Sequence, residues 1–346
     1  MPASARALPA GVPVAYVAVA LLWSTTPLAI NWSLEGGGFA FSLLARMLVG
    51  LIGAVALLWA TRAGFPLRRG VWPAYLIGGT SLFGTMLCVY WGAQFIHSGL
   101  ISVLFGLSPL MTSLIAATCL SERSLTPTKL LGMAIAFAGV AVVFGRADDL
   151  GTSAAPTGLV AVLAAVFINS AGLVGMKRVA GGTPPLAITA GIMLISLPLF
   201  ALAWFLIDGL LPTSVPLRAS LAIAYLGLFG SVLGFALYYY VMKHLEAGTV
   251  AMITVLTPLL ALFLGHAFNG EALPPQVWLG ALAISVGLYL NLRGGGFSHG
   301  HRSSRRATSC AASAIDSSHA IIIASVKKSI QPSPRERNWI SSKASK

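Results

Sequence analysis

Charge is what this sequence lacks most. Asp, Glu, Lys and Arg supply 9% of its 346 residues, where an ordinary soluble domain has about 25%. Length alone suggests two soluble domains, but a soluble chain must cover its outside with polar and charged groups, and too few are present. Acid is scarcer than base: nine Asp and Glu stand against 22 Lys and Arg. No acid lies at the centre of an apolar run, so proton coupling would have to use groups nearer the edges. Cysteine is nearly absent, and Cys88, Cys119 and Cys310 form no spaced set, which gives no disulfide framework or metal cluster. There is no Gly-rich phosphate loop ending in Lys and Ser/Thr, and no His-Glu-x-x-His helix. ATP hydrolysis, a resident metal and a cofactor are therefore not expected, and the chain is not read as an enzyme.

What abounds is apolar: 57% of the residues, with a mean hydropathy of +0.85. A bilayer core of about 30 Å needs roughly 20 apolar residues per helix. Ten such runs occur, at 12–33, 39–60, 72–96, 99–120, 127–145, 157–176, 184–207, 219–241, 248–268 and 275–292. The first follows Arg6, but it is long and lacks a small-residue cleavage signature, so it reads as a retained span. The expected fold is an all-α polytopic membrane protein of ten transmembrane helices.

The net charge of +13 invites a nucleic-acid reading, which the placement of the charges removes. Residues 293–346 carry ten basic residues against Asp316 and Glu336, a net of +8, which leaves +5 for residues 1–292. With the N-terminus cytoplasmic, inside segments hold Arg6, Arg62, Arg68, Arg69, Arg123, Lys129, Lys177, Arg178 and Lys243, whereas outside loops hold only Arg146 and Arg218. This positive-inside bias puts both termini in the cytoplasm. The Ser-rich basic tail, 293–346, reads as disordered, with anionic lipid head groups as its candidate partner. No aromatic interleaving supports nucleic acid, and His299 with His301 are too few ligands for a metal.

The chain repeats itself. At an offset of 149, Tyr90 falls on Tyr239, Gly99 on Gly248, Pro109 on Pro258 and Glu122 on Glu271; at 148, Pro127 meets Pro275, Gly132 meets Gly280 and Gly139 meets Gly287. Five spans per half is an odd number, so the second half inserts upside down relative to the first, as in many secondary transporters. The divisions are a cytoplasmic segment 1–11, a first repeat 12–145, an outside linker 146–156, a second repeat 157–292 and the tail. Gly132 with Gly139 and Gly280 with Gly287 recur at heptad spacing, which fits close helix packing.

Four pieces of sequence resemble the EamA family of the drug/metabolite transporter superfamily. They are Leu-Leu-Trp-Ser-Thr-Thr-Pro in the first span, Arg46 in the second, the Leu-Ser-Pro-Leu to Ser-Glu-Arg stretch over 107–123, and its echo Leu-Thr-Pro-Leu to Asn-Gly-Glu over 256–271. The resemblance covers about 12–292. It implies two five-helix bundles around a central cavity and export of amino acids, other metabolites or toxic compounds. One departure stands out: Ser24 and Asn31 occupy places where family members often have Gly and Lys, which removes a charge contact with an anionic group.

Polar groups inside the spans are the site candidates. Arg46, about six residues or roughly 9 Å into its span, either snorkels to the interface or binds a substrate carboxylate or a helix C-terminus. Trp23, Thr25 and Asn31, Tyr90 and Gln94, Asn169 and Ser170, and Tyr239 are candidates for lining the cavity, with the tyrosine run 238–240 and Trp91 open also to an interfacial role. Pro109 and Pro258 break backbone bonding and serve either packing or a hinge. Glu122 and Glu271 either favour the start of the next helix through its dipole or act as gates. His266 and Glu246 are candidate proton sites. The expectation is a secondary transporter exporting a small molecule across the inner membrane by alternating access. The alternative is a membrane regulatory or scaffold protein that keeps the fold without transport.

Overall fold

A computed structural model describes residues 11–62, 64–120, 126–144, 154–179, 183–245, 247–271 and 274–293. Of these, 86% are helical and none form strands. Backbone in hydrocarbon finds no water to bond, so apolar runs bounded by Gly and Pro satisfy their amides within themselves as helices. The helices are α1 (Gly11–Ser33), α2 (Phe39–Thr61), α3 (Trp72–Gly92), α4 (Ser98–Phe105), α5 (Ser108–Leu120), α6 (Pro127–Phe144), α7 (Ala155–Val179), α8 (Pro185–Ile207), α9 (Leu217–Tyr225), α10 (Gly234–His244), α11 (Ala247–Asn269) and α12 (Pro275–Arg293), with a 3-10 turn at Leu34–Gly36 and a π-helical segment at Leu226–Leu233. Among the described residues nine stretches are long and apolar enough to cross a bilayer, and the run expected at 127–145 is a shorter apolar helix. Val14, Ile52, Trp59, Phe205, Leu217 and Phe263 point outward with more than half their surface exposed, a surface that suits lipid.

The structure alters three of the expected spans. The third ends at Gly92, so Gln94 lies beyond it. The fourth is two helices, because the chain breaks at Gly106–Leu107, a turn before Pro109; a proline removes one amide and disfavours helix in the residue before it. Its counterpart α11 instead runs unbroken through Pro258. The eighth is interrupted by the π segment, where Ser231 Oγ donates to the Leu226 carbonyl five residues back at 3.0 Å.

Helix α1 packs on α9, α10 and α11; α2 on α8 and the π segment; α3 on α7 and α8; α4 on α11 and α7; α5 on α7; and α6 on α12. The α6–α12 seam is made of the glycines that the sequence picks out. A Cβ on Gly139 would stand 2.8 Å from the Gly280 carbonyl oxygen, and one on Gly132 would stand 2.5 Å from that of Gly287. The heptad pairs thus oppose each other in antiparallel order, backbone on backbone, as small residues allow. Of the sequence-derived candidates, Glu122, Glu246 and the tail from 294 lie outside the described residues, as do nearly all of the N-terminal segment and most of the linker.

Candidate functional site

Arg46 lies seven residues after Phe39, about 10 Å along α2. It does not reach back to the interface: the residue is 5% exposed. One guanidinium nitrogen, Nη1, donates to the Tyr90 hydroxyl at 3.4 Å, and the guanidinium carbon stands 5.9 Å from the centre of that ring. Arg46 Nε is buried without a partner. The described acids, Glu35, Asp208 and Glu271, each bond elsewhere. A cation held in low dielectric with no carboxylate beside it carries an unmet demand for negative charge.

The π segment brings the second half of the chain to this arginine. Gly227 sits where a Cβ would meet Val49 and, at 3.0 Å, the Arg46 carbonyl oxygen. Glycine is therefore required for the segment to lie this close to α2. One turn on, a Cβ at Gly230 would stand 3.7 Å from Thr26 Oγ1 and 3.9 Å from Arg46 Nη2. A third glycine, Gly234, faces Trp23, with the indole nitrogen 3.4 Å from where its Cβ would be. Beside it the Trp23 and Tyr238 rings lie 4.8 Å apart and tilted by 40°. Thr25 Oγ1 donates within its own helix, to Leu21 or Leu22, so the 2.6 Å contact with the Tyr225 hydroxyl is read as Tyr225 donating to Thr25. Tyr225 was not among the sequence candidates. The three glycines at spacings of three and four just after it were the available signal for a close approach.

The structure therefore gathers Trp23, Thr25, Arg46 and Tyr90 around the π segment. Other candidates lie apart from these. Ser170 donates to the Ser108 carbonyl at 3.1 Å, at the break before Pro109, with the half-buried Asn169 preceding it on α7. Gly106, at that break, would place a Cβ 3.2 Å from Pro258 Cγ, so the break in the fourth span lies against the proline of its unbroken counterpart. Asn31 is half-buried on α1, with Oδ1 lacking a partner. Gln94 is exposed and bonds back to the Trp91 carbonyl at 3.1 Å. Tyr239 lies on α10, with its side chain outside the described residues.

Glu271 is 3% exposed. The helix start that it satisfies is not that of the next helix, α12, but that of α4 in the other half. Its Oε1 accepts from the Ser98 amide at 3.1 Å and the Ser98 hydroxyl at 2.6 Å, and its Oε2 accepts from the Gly99 amide at 3.4 Å. Asn269 Nδ2 donates to Oε1 at 3.1 Å. From Asn269 the network continues to Trp32 Nε1 at 3.1 Å and Arg218 Nη2 at 3.4 Å. Arg218 pairs with Glu35 at 3.2 Å and lies 4.4 Å over the Trp32 ring. One end of the bundle is thus tied across α1, α4, α9 and α11. His266 Nδ1 bonds the backbone oxygen of Glu271 at 2.9 Å, which places it at the edge of this network. Because the buried carboxylate meets helix-start amides that have no partner within their own helix, Glu271→Gln is expected to cost about 2 kcal/mol. This would be read as a fall of about 6 °C in the melting temperature of the purified protein.

The profile described as the EamA-like transporter family matches residues 11–145 and 156–293. A probable terminal-alkyne amino-acid exporter of Streptantibioticus cattleyicolor is 28% identical over 286 residues, covering 81% of this chain and 93% of its own. A probable amino-acid metabolite efflux pump of Salmonella typhimurium is 28% identical over 256 residues, covering 70% and 85%. The uncharacterized inner membrane transporter YedA of Escherichia coli is 27% identical over 278 residues, covering 79% and 87%. A crystal structure of a chain 22% identical in sequence superposes with a TM-score of 0.58, over 81% of this chain and 96% of that one, a likeness of fold. With the family model matching nearly all of the described residues in two stretches, the chain belongs to the EamA-like transporter family.

Proposed function

We propose that this transporter exports small carboxylate-bearing metabolites, amino acids foremost, across the inner membrane, and that Arg46 holds the carboxylate. The observation that carries this reading is a buried guanidinium with no acid beside it among the described residues. A planar cation with paired donors suits a carboxylate. The substrate class also fits two relatives, a probable terminal-alkyne amino-acid exporter and a probable amino-acid metabolite efflux pump. Trp23, Tyr90 and the Tyr225–Thr25 pair supply aromatic walls and hydroxyls around the remainder, and the solute leaves chemically unchanged.

The movement we propose is alternating access between two inverted five-helix repeats, with both termini cytoplasmic. The helix contacts support it. Exchanging α1 with α7, α2 with α8, α3 with α9–α10, α4–α5 with α11, and α6 with α12 turns the contact of α1 with α11 into that of α7 with α4 and α5. The same exchange turns α3 on α7 into α9 and α10 on α1, and α3 on α8 into the π segment on α2. In the proposed orientation the Glu35–Arg218–Asn269–Glu271 network closes the outer end.

Proteoliposomes loaded with amino acids, with and without a pH gradient, test the reading. Flux of an amino acid and none of its methyl ester is the expected result. No flux of any solute from a folded protein would instead favour a regulatory or scaffold role. Trp23→Ala, beside the Arg46 group, is expected to cut flux with membrane abundance unchanged; if it does not, the cavity is lined by other residues.

A further inference from the structure

On the outside of the bundle, away from Arg46, α2 and α8 leave a groove of about 780 Å³ between them, lined by Leu51, Val55, Leu58, Trp59, Arg62 and Ala190 among others. The two ends of this helix pair differ. At the α2 start, Asp208 from the end of α8 accepts from the Phe41 amide at 2.7 Å and fills the space against Gly38. At the opposite end α8 begins at Pro184–Pro185 with no side-chain cap, and the residue that ends α2 is not an acid but Arg62, in the left-handed backbone conformation at φ 50°. Where one end is closed by a carboxylate, the other is open and basic. Arg68 and Arg69 follow, both exposed. The described acids that face α2 or the ends of its neighbours, Asp208, Glu35 and Glu271, all sit at the other end.

We infer that this groove binds an acidic phospholipid, its phosphate on Arg62 and one acyl chain along Leu58, Val55 and Leu51. Three observations fix the occupant. From Leu51 to Arg62 the helix rises about 16 Å, half of a hydrocarbon core of about 30 Å, so the apolar floor is one leaflet deep and ends at the charge. Trp59, 85% exposed beside the groove, stands at the depth where indoles seek the head-group boundary. The cluster of base, with no acid beside it among the described residues, attracts anionic head groups and discriminates against zwitterionic ones. The site faces away from the transport site and holds whether or not the chain carries amino acids.

The test uses the full chain, delipidated in detergent, with native mass spectrometry of bound dioleoyl phosphatidylglycerol and dioleoyl phosphatidylcholine at equal concentrations. The wild type is expected to retain phosphatidylglycerol in preference. Arg62→Asn, a side chain that tolerates the left-handed backbone, should weaken that retention about fivefold. Arg293→Gln, which removes a charge stacked on Tyr289 at the end of α12, should leave it unchanged. Val55→Trp, which fills the groove from an exposed position, should lower occupancy by both lipids. Equal retention of the two lipids by the wild type overturns the inference. So does a preference that survives Arg62→Asn, equal loss in both arginine variants, or undiminished occupancy in Val55→Trp.

Discussion

Arg46→Gln is expected to lower amino-acid flux in proteoliposomes about 100-fold while raising, not lowering, the melting temperature. The two readouts move in opposite directions for one reason. In the folded protein the guanidinium is buried, its Nε has no partner, and its contact with Tyr90 is long at 3.4 Å. Its desolvation is thus poorly repaid by the protein, and a neutral side chain of similar length relieves it. The carboxylate of the solute would supply the missing partner. Two charge-assisted hydrogen bonds at about 1.5 kcal/mol each come to about 3 kcal/mol, or roughly two decades of affinity. Arg46→Lys should recover little, since an ammonium offers no paired planar donors. A glutamine variant that transports normally, or that loses flux only because it is unstable, would remove Arg46 from the binding role. Stability lost to place a functional charge is a common trade in proteins.

The second large effect belongs to the α6–α12 seam. Gly139→Leu should cost about 4 kcal/mol, beyond ordinary overpacking, because what a Cβ would meet at 2.8 Å is the Gly280 backbone oxygen rather than a side chain that can rotate away. The expected readout is a melting temperature lower by about 12 °C, with reduced membrane abundance. Gly70→Leu is the matched control, since nothing lies within 4 Å of a Cβ there. Equal behaviour of the two variants would show that α6 and α12 do not pack closely.

The seam is also the clearest case of structure legible in the sequence. Gly132, Gly139, Gly280 and Gly287 could be paired because small residues at fixed spacing have few uses in an apolar helix, and the repeat supplied their counterparts. The chain's membership in a transporter family and its helical spans were legible for similar reasons, since hydrocarbon thickness and backbone satisfaction leave few solutions. The role of Glu271 was half legible: its carboxylate does serve a helix start, but Ser98 lies 173 residues away, and a one-dimensional repeat does not say which helix end comes near. The break at Gly106 and the π segment were not legible. Both depend on a glycine lying against another helix, Gly106 against the Pro258 ring and Gly227 against the Arg46 carbonyl oxygen; glycines in an apolar run mark a close approach but not the helix that is met, nor whether the backbone there breaks or widens. Arg46 itself was visible as an intramembrane charge, yet only its neighbours decide between the interface and the interior.

The pairing of α6 with α12 also bears on how the protein is made. These two helices end the two matched halves, and α12 is the last described helix of the chain. Throughout synthesis of the second half, α6 waits in the bilayer with its glycine face turned to lipid and no partner for it. A chain truncated upstream of Pro275 would keep α6 in that condition, with Gly132 and Gly139 lacking the backbone they pack against.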